Sequence, residues 1–377
     1  MKSVTLIPTH KRVLIRVDYN VPLTGNTIVD ARRIDASFAT IDAVRKRGGT
    51  PLLVAHLGSG EESLRPIATY LSKTYPTVFI TSAIDDPTTK ALIEKVPAGT
   101  LILFENIRRY EGEEKNTKRF AKALASYADV YVNDAFSVSH RAHASVVGVA
   151  TLLPSFAGLQ LQKEIKELST LFTTKKHPFV FLLGGAKFAT KIPLISQFEK
   201  TADTLIITGA ILNTFYKVAG FEIGESVVEN GYDKSIKALL TNPKLLLPID
   251  VVVLRHAKKV ICTPTEIEKK DIIVDIGPQS TQLIEKEIKK SKVFVWNGPT
   301  GWYEKGFIHA TISIANSILE STTTHAVIGG GDTGAVIEKC LKDVSEKNKK
   351  RIFVSTGGGA TLEFLAHKTL VGIDALT

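Results

Sequence analysis

The chain has 377 residues, past the roughly 250 to 300 at which single hydrophobic cores stop growing, so two domains are expected. Hydrophobic residues at 44% and charged residues at 23% exclude global disorder. The 48 Lys and Arg against 38 Asp and Glu leave a net charge of +10, which favours anionic partners; no dense basic tract interleaved with aromatics points to nucleic acid.

Cys262 and Cys340 lie far apart and in no metal-ligand spacing, so they read as small buried residues rather than a disulfide framework or zinc knuckle. Met1-Lys2-Ser3 opens no signal peptide, and the apolar runs stop well short of the ~20 residues that span a bilayer. The expected setting is a reducing cytoplasm, with no membrane association.

In chain order, β-branched runs at 13–17, 51–56, 101–105 and 130–134 alternate with helical patterns such as 34–48 and 116–129. A βαβα rhythm predicts a mostly parallel sheet covered by helices. Each strand runs into polar residues: Arg16, Asp18 and Asn20; His56; Glu105, Asn106, Arg108 and Arg109; Asn133 and Asp134. The carboxyl ends of parallel strands line the ligand crevice, so these residues are expected to converge, although individually many only begin loops. A helix over 159–172 connects this region to a second αβ series, with strands at 178–186, 204–209, 250–254, 292–298, 325–331 and 351–359.

Three segments of that second series share a buried strand, consecutive glycines and a following helix: 179–195, 325–341 and 351–367. Glycines admit close approach of a ligand and a helix N-terminus offers free N–H groups, a combination suited to nucleotide phosphates. Neither GxGxxG nor GxxxxGK[ST] stands at these strand ends. Pro193 delays the helix of the first segment beyond Ala186, making Thr190 its natural N-cap and leaving Lys187 in the loop and Lys191 at the helix start. Asp332 follows three glycines; beside a phosphate, a carboxylate there calls for a bridging cation such as magnesium, and it also suits capping the helix.

The motifs RVDYNVPL (16–23), HLG (56–58), FENIRRYEGEE (104–114), NDAFSVSHRAH (133–143), LGGAKFATKI (183–192), VWNGPTGWYE (295–304), GGGDT (329–333) and STGGGAT (355–361), with the tail VGIDAL (371–376), resemble the phosphoglycerate kinase family in order and over essentially the whole chain. The resemblance implies two Rossmann-like three-layer α/β/α domains with mostly parallel sheets, joined by an interdomain helix and hinge: an acid-substrate domain at 1–157, the helix at 158–174, a nucleotide domain at 175–359, and a segment at 360–377 that packs back on the first domain. It implies magnesium-dependent phosphoryl transfer between ATP or ADP and the carboxylate of 3-phosphoglycerate, giving 1,3-bisphosphoglycerate, in a monomer that closes over small-molecule substrates.

By the same resemblance Asp18, Tyr19, Asn20, Arg33, His56, Leu57, Gly58, Ser59, Arg108 and Arg141 bind the acid. Gly184, Gly185, Lys187, Lys191, Asn297, Pro299, Glu304, Gly330, Gly331, Asp332 and Thr333 bind the nucleotide, Asp332 holds the metal, and Gly357, Gly358 and Gly359 form a phosphate-stabilising loop. Arg33, Lys187 and Lys191 are the catalytic candidates. A carboxylate nucleophile is already ionised near neutral pH, so charge neutralisation replaces a general base.

The sequence departs from the family pattern where HLGRP becomes HLGSGEESLRP, so Ser59 replaces an arginine, with Arg109 or Arg65 as candidate substitutes. Thr190 and Phe353 replace a usual aspartate and a frequent histidine. His140 and His143 have a spacing possible for a metal pair, but with no third ligand they read as hydrogen-bonding groups of the substrate cleft or between domains. Trp296 and Trp302 flank NGPTG and either border the nucleotide or pack. A kinase for another acid should lack Asp18, Asn20, Arg33, Arg108 and Arg141, and a non-catalytic relative should lose Lys187, Lys191 or Asp332. All are present. Binding to nucleic acid that persisted only at low salt would mark nonspecific attraction.

Overall fold

Strands that are apolar on both faces, such as Val13-Leu14-Ile15 and Leu101–Phe104, have no side for water and must lie inside a covered sheet. In the computed structural model, which describes residues 1–341 and 345–377, two units form around such strands. One comprises Met1–Lys166 with His367–Thr377, and the other Glu167–Ala366.

The first unit holds six parallel strands in the order Thr77–Ile80, Leu101–Phe104, Thr50–Val54, Arg12–Arg16, Val130–Asn133 and Ser155–Ala157. Its core gathers Val13, Ile15, Leu53, Leu103 and Val132 from the strands with Ile41, Val44, Ile67 and Leu71 from helices Phe38–Lys46 and Arg65–Leu71. The short edge strands were not legible as strands in the sequence. The helix expected at 34–48 is two helices, Arg32–Ala36 and Phe38–Lys46. Ser37 stands at the break because its hydroxyl donates to Ile34 O (2.7 Å) and pairs with the Tyr19 hydroxyl (2.9 Å).

The second unit has six parallel strands in the order Leu245–Leu246, Thr204–Ile207, Phe179–Leu183, Val293–Asn297, His325–Gly329 and Ile352–Val354. The 250–254 run is not one of them. Val251–Arg255 is the centre of a separate antiparallel sheet, between Lys258–Cys262 and Ile272–Ile276. Its half-exposed alternation, with Val251 and Val253 buried and Val252 and Leu254 partly exposed, is the mark of a sheet covered on one face.

Helix Leu159–Thr173 starts in the first unit, where Asp134 Oδ1 accepts Gln160 N (2.9 Å) and Leu161 N (3.3 Å) and Thr40 Oγ1 accepts Leu159 N (2.8 Å). It ends in the second unit, where the Phe172 ring lies 6.0 Å from that of Phe364. The 360–377 segment divides. Residues up to Ala366 belong to the second unit because Ala360, Phe364 and Leu365 are buried in helix Gly359–His367; the last eleven belong to the first, where Gly372 N donates to Ser139 O (2.8 Å). Cys262 is buried, whereas Cys340 is only half-buried at the end of its helix.

Candidate active site

Parallel register decides where the polar residues after each strand emerge. Arg16 pairs with Val54 on one side and with Asn133 on the other, so the exits toward Asp18, His56 and Asp134 share one edge of the first sheet. There Asp18 Oδ2 lies 3.0 Å from Arg33 Nη1 and accepts the Ser137 hydroxyl (2.6 Å). Arg33 also donates to Asn20 O (3.3 Å), and Asn20 Oδ1 accepts Gly58 N (3.0 Å). Arg108 donates to Gly58 O (2.9 Å) and places Nε 3.1 Å from Glu114, while Arg141 lies against His140 (3.4 Å).

Burial and the cations Arg16, Arg108 and Arg141 push His56 down to about 2; burial, Arg141, Arg108 and Arg16 lower His143 to about 4. Both rings are therefore neutral hydrogen-bonding groups at physiological pH, and the positive charge of this edge is carried by arginines that suit carboxylate and phosphate.

In the second unit the chain leaves Phe179–Leu183 for one flank of the sheet and Val293–Asn297 for the other. These neighbouring strands form the topological switch point at which α/β sheets bind ligands. Gly184 N donates to Asn297 O (2.8 Å) and Gly185 N to Pro299 O (3.0 Å), stitching the two exits together. The packing is tight enough that a Cβ on Gly184 would meet Pro299 O at 2.2 Å.

A pocket of about 300 Å³ opens there, lined by Gly185, Ala186, Lys187, Thr190, Lys191, Asn297, Gly298, Pro299, Gly330, Gly331, Asp332, Thr333, Gly358, Gly359 and Leu362. The Lys191 ammonium donates to Asn297 Oδ1, and burial lowers it to about 8. Asn297 Nδ2 and Thr333 Oγ1 are buried without a hydrogen-bond partner, which is costly unless a ligand supplies one. Desolvation, and next the Glu304 carboxylate, raise the Asp332 carboxyl above its usual range. A carboxylate beside lysines and glycine N–H groups suits a phosphate chain with a hard cation.

The nucleotide set therefore converges apart from Gly184, buried just behind the pocket, and Glu304, reached through Asp332; of the last loop, Gly358 and Gly359 line the pocket and Gly357 is buried beside Ser355. In the acid set, Tyr19 and Leu57 stand apart from the rest. Both side chains are sealed in the first core, so only their backbones remain to act at the site. Ser59 is exposed in its loop.

The two candidate substitutes for the family arginine stand differently: Arg65 is exposed, and Arg109 is tied into its loop. The Arg65 guanidinium lies 5.3 Å over the Phe79 ring, and Arg109 braces the loop through Gly60 O (3.2 Å), Glu61 O (3.3 Å) and Glu105 (3.3 Å). Thr190 does not cap the helix Ile192–Phe198; its hydroxyl donates back to Lys187 O (2.9 Å), and Lys191 takes the N-cap position. Trp296 is buried and donates to Gly298 O (2.8 Å), whereas Trp302 is 40% exposed.

Several strand-end residues brace rather than converge. Asn106 ties Leu57 O (2.7 Å) to Glu62 O (2.8 Å), and Glu105 accepts Leu64 N (2.8 Å) and Ser63 (2.7 Å). Sequence reasoning missed Glu229, whose carboxylate accepts Phe188 N (2.8 Å) and Ala189 N (3.1 Å) in the lysine loop. It also missed Glu113, Ser137 and Ser145; lone polar residues in helices and loops gave no signal of their partners.

A family profile described as phosphoglycerate kinase matches residues 5–368. A phosphoglycerate kinase of Dictyoglomus turgidum is 41% identical over 97% of this chain and 95% of its own length, and one of Clostridioides difficile is 37% identical over 97% and 95%. Among solved structures, phosphoglycerate kinase from Coxiella burnetii superposes with a TM-score of 0.83 at 34% identity, and that from Pyrococcus horikoshii with 0.84 at 26%. Each covers 100% of this chain and 98% of the other.

Proposed function

The chain belongs to the phosphoglycerate kinase family, and on that premise we propose how its own residues carry out reversible phosphoryl transfer between ATP and the carboxylate of 3-phosphoglycerate. The observation that carries the reading is the glycine-lined pocket at the second sheet's switch point, with Lys187, Lys191 and Asp332 around it and two buried polar atoms lacking partners. The pocket takes the phosphates of ATP or ADP, with Pro299 and Glu304 toward the nucleoside.

Arg33, Arg108, Arg141, Asn20 and neutral His56 hold the anionic acid in the first unit, and Asp18 orients Arg33 through their 3.0 Å pair. The acid carboxylate attacks the terminal phosphorus of ATP as the bond to the bridging oxygen breaks and ADP leaves with that electron pair; the carboxylate's own negative charge makes a base unnecessary. Arg33 and Lys187 then neutralise charge on the transferred group, and Lys191 neutralises charge on the nucleotide side. Because acid groups and phosphate groups belong to different units, transfer requires their ligands to be brought within bonding distance with water excluded.

Asp332 supplies a hard oxygen donor that suits Mg²⁺, and its raised carboxyl is a group whose charged form a cation would favour. When bound with the nucleotide, Mg²⁺ supplies neutralisation of phosphate charge. The same reading carries a cytoplasmic monomer acting on small molecules, without nucleic acid. No helix among the described residues is long and apolar enough to cross a membrane.

The test is ADP formation from ATP, magnesium and 3-phosphoglycerate, drawn forward by a coupled dehydrogenase, with Lys187→Ala as the blank. Activity absent from the blank establishes the reaction and the lysine together. A folded protein that binds nucleotide yet forms no ADP would show that the loop around Ser59 has changed the acid or ended catalysis.

A further inference from the structure

Arg16 ends the strand Arg12–Arg16 with its side chain almost wholly buried. Its Nη2 lies 3.0 Å from His56 Nδ1. A guanidinium has five N–H donors and no acceptor, so this contact is a hydrogen bond only if Nδ1 carries a lone pair. An imidazolium, with both nitrogens protonated, is excluded by the same contact. The ring proton therefore belongs on Nε2.

The rest of Arg16 is held as firmly. Nη1 donates to Val17 O, and Nε donates to Ser145 Oγ (2.9 Å). Having accepted from Arg16, the Ser145 hydroxyl gives its single proton to Glu113 Oε1 (2.6 Å), while Ser145 N donates to Glu113 Oε2 (2.9 Å). Glu113 is itself buried and supplies the counter-charge that lets an arginine stay ionised in the interior. The donor directions from Arg16 to Ser145 and to His56 are thus fixed by chemistry.

Among the described residues His56 Nε2 has no hydrogen-bond partner, yet it is not one of the polar atoms sealed from solvent. With Arg16, Arg108 and Arg141 acting on the ring, an anion is the ligand this edge attracts. The opposite tautomer would present a lone pair to that anion and repel it.

We propose that Arg16, braced by Ser145 and Glu113, is a positioning residue that locks His56 as the Nε2–H tautomer and so makes it a hydrogen-bond donor to the anionic acid. The inference rests on the reading of His56 as an acid-site residue, and the experiment separates the two. It is a long-range ¹H–¹⁵N correlation spectrum of the full chain labelled at histidine nitrogens, with His56 assigned through His56→Gln, recorded from pH 5.5 to 8 with and without 3-phosphoglycerate.

The expected result is the Nε2–H pattern throughout, with the Nε2 resonance shifting on addition of 3-phosphoglycerate. An Nδ1–H pattern, or an imidazolium within that range, overturns the lock. An Nε2–H pattern that ignores 3-phosphoglycerate keeps the lock and overturns the donor role. Arg16→Met should mix the tautomers and raise KM for 3-phosphoglycerate roughly tenfold, more than it changes kcat. Where that buried change prevents folding, Ser145→Ala, which cuts Arg16 from Glu113, is read the same way, and the wild-type spectrum decides the tautomer without any variant.

Discussion

The two candidate ligand-binding edges of this molecule are made of different materials. The first unit's edge is built from side chains: Arg33 on Asp18, Asn20 on Gly58, Arg108 on Gly58 and Glu114, and the buried series from Glu113 to His56. The second unit's edge is built from backbone: Gly184 and Gly185 stitched to Asn297 and Pro299, with few side chains beyond Lys187, Lys191, Asn297, Asp332 and Thr333. The difference follows from the ligands. A small acid is recognised by a few charged groups at fixed angles, whereas a phosphate chain is cradled by many N–H donors that only a close-approaching backbone provides.

The comparison breaks first at charge. Lys187→Ala and Arg33→Ala should each lower turnover about 10² to 10³-fold, with urea midpoints nearly unmoved, because each removes charge stabilisation from the transferred group and neither side chain is buried. Near-normal turnover in either variant ends that residue's catalytic role.

Next comes the backbone. Gly184→Ala drives a Cβ to 2.2 Å from Pro299 O and should cost roughly 1 to 3 kcal/mol in chemical denaturation, while Gly331→Ala, with nothing within 4 Å, should stay within about 0.5 kcal/mol. Equal costs would mean that the stitched exits carry no special tension.

A third expectation concerns Asp134, which burial raises to about 7 and whose Oδ2 lacks a partner. Between about 4 and 7 the unfolded chain has released a proton that the folded chain keeps, so the contribution of Asp134 to stability falls as pH rises through that window. Asp134→Asn keeps an acceptor for Gln160 and Leu161 and should flatten that part of the stability profile. An unchanged slope in thermal melts at pH 4, 5.5 and 7 would show that the carboxylate is ionised in the fold.

The smallest effect belongs to Lys191, lowered to about 8. Above that pH the folded protein has lost the proton that the unfolded chain keeps to about 10.5, so stability gains while attraction for phosphate wanes. Calorimetry at pH 8.5 in buffers of different ionisation enthalpy should detect proton uptake when magnesium-ADP binds, and Lys191→Met should abolish it. Uptake that survives in the variant assigns the proton elsewhere.

The sequence by itself carried the α/β class, most central strands, the three glycine loops and the lysines beside the first of them, because these signals are local. A buried parallel strand must be apolar along its length, and a phosphate loop must be glycine-rich. It also placed Lys187 in the loop and Lys191 at the helix start from Pro193 alone.

Only the tertiary structure decided what each polar side chain meets. Tyr19 looked like a site residue beside Asp18 and Asn20, yet its ring packs into the core and its hydroxyl pairs with Ser37. Arg65 and Arg109 looked equally able to replace the arginine absent at Ser59, yet one lies exposed over Phe79 and the other holds the loop. Val251–Arg255 read as one more parallel strand until its partners proved antiparallel. Arg16 looked like the end of a strand; its partners Ser145 and His56 lie 129 and 40 positions away, and no local pattern encodes a hydrogen bond across such a distance.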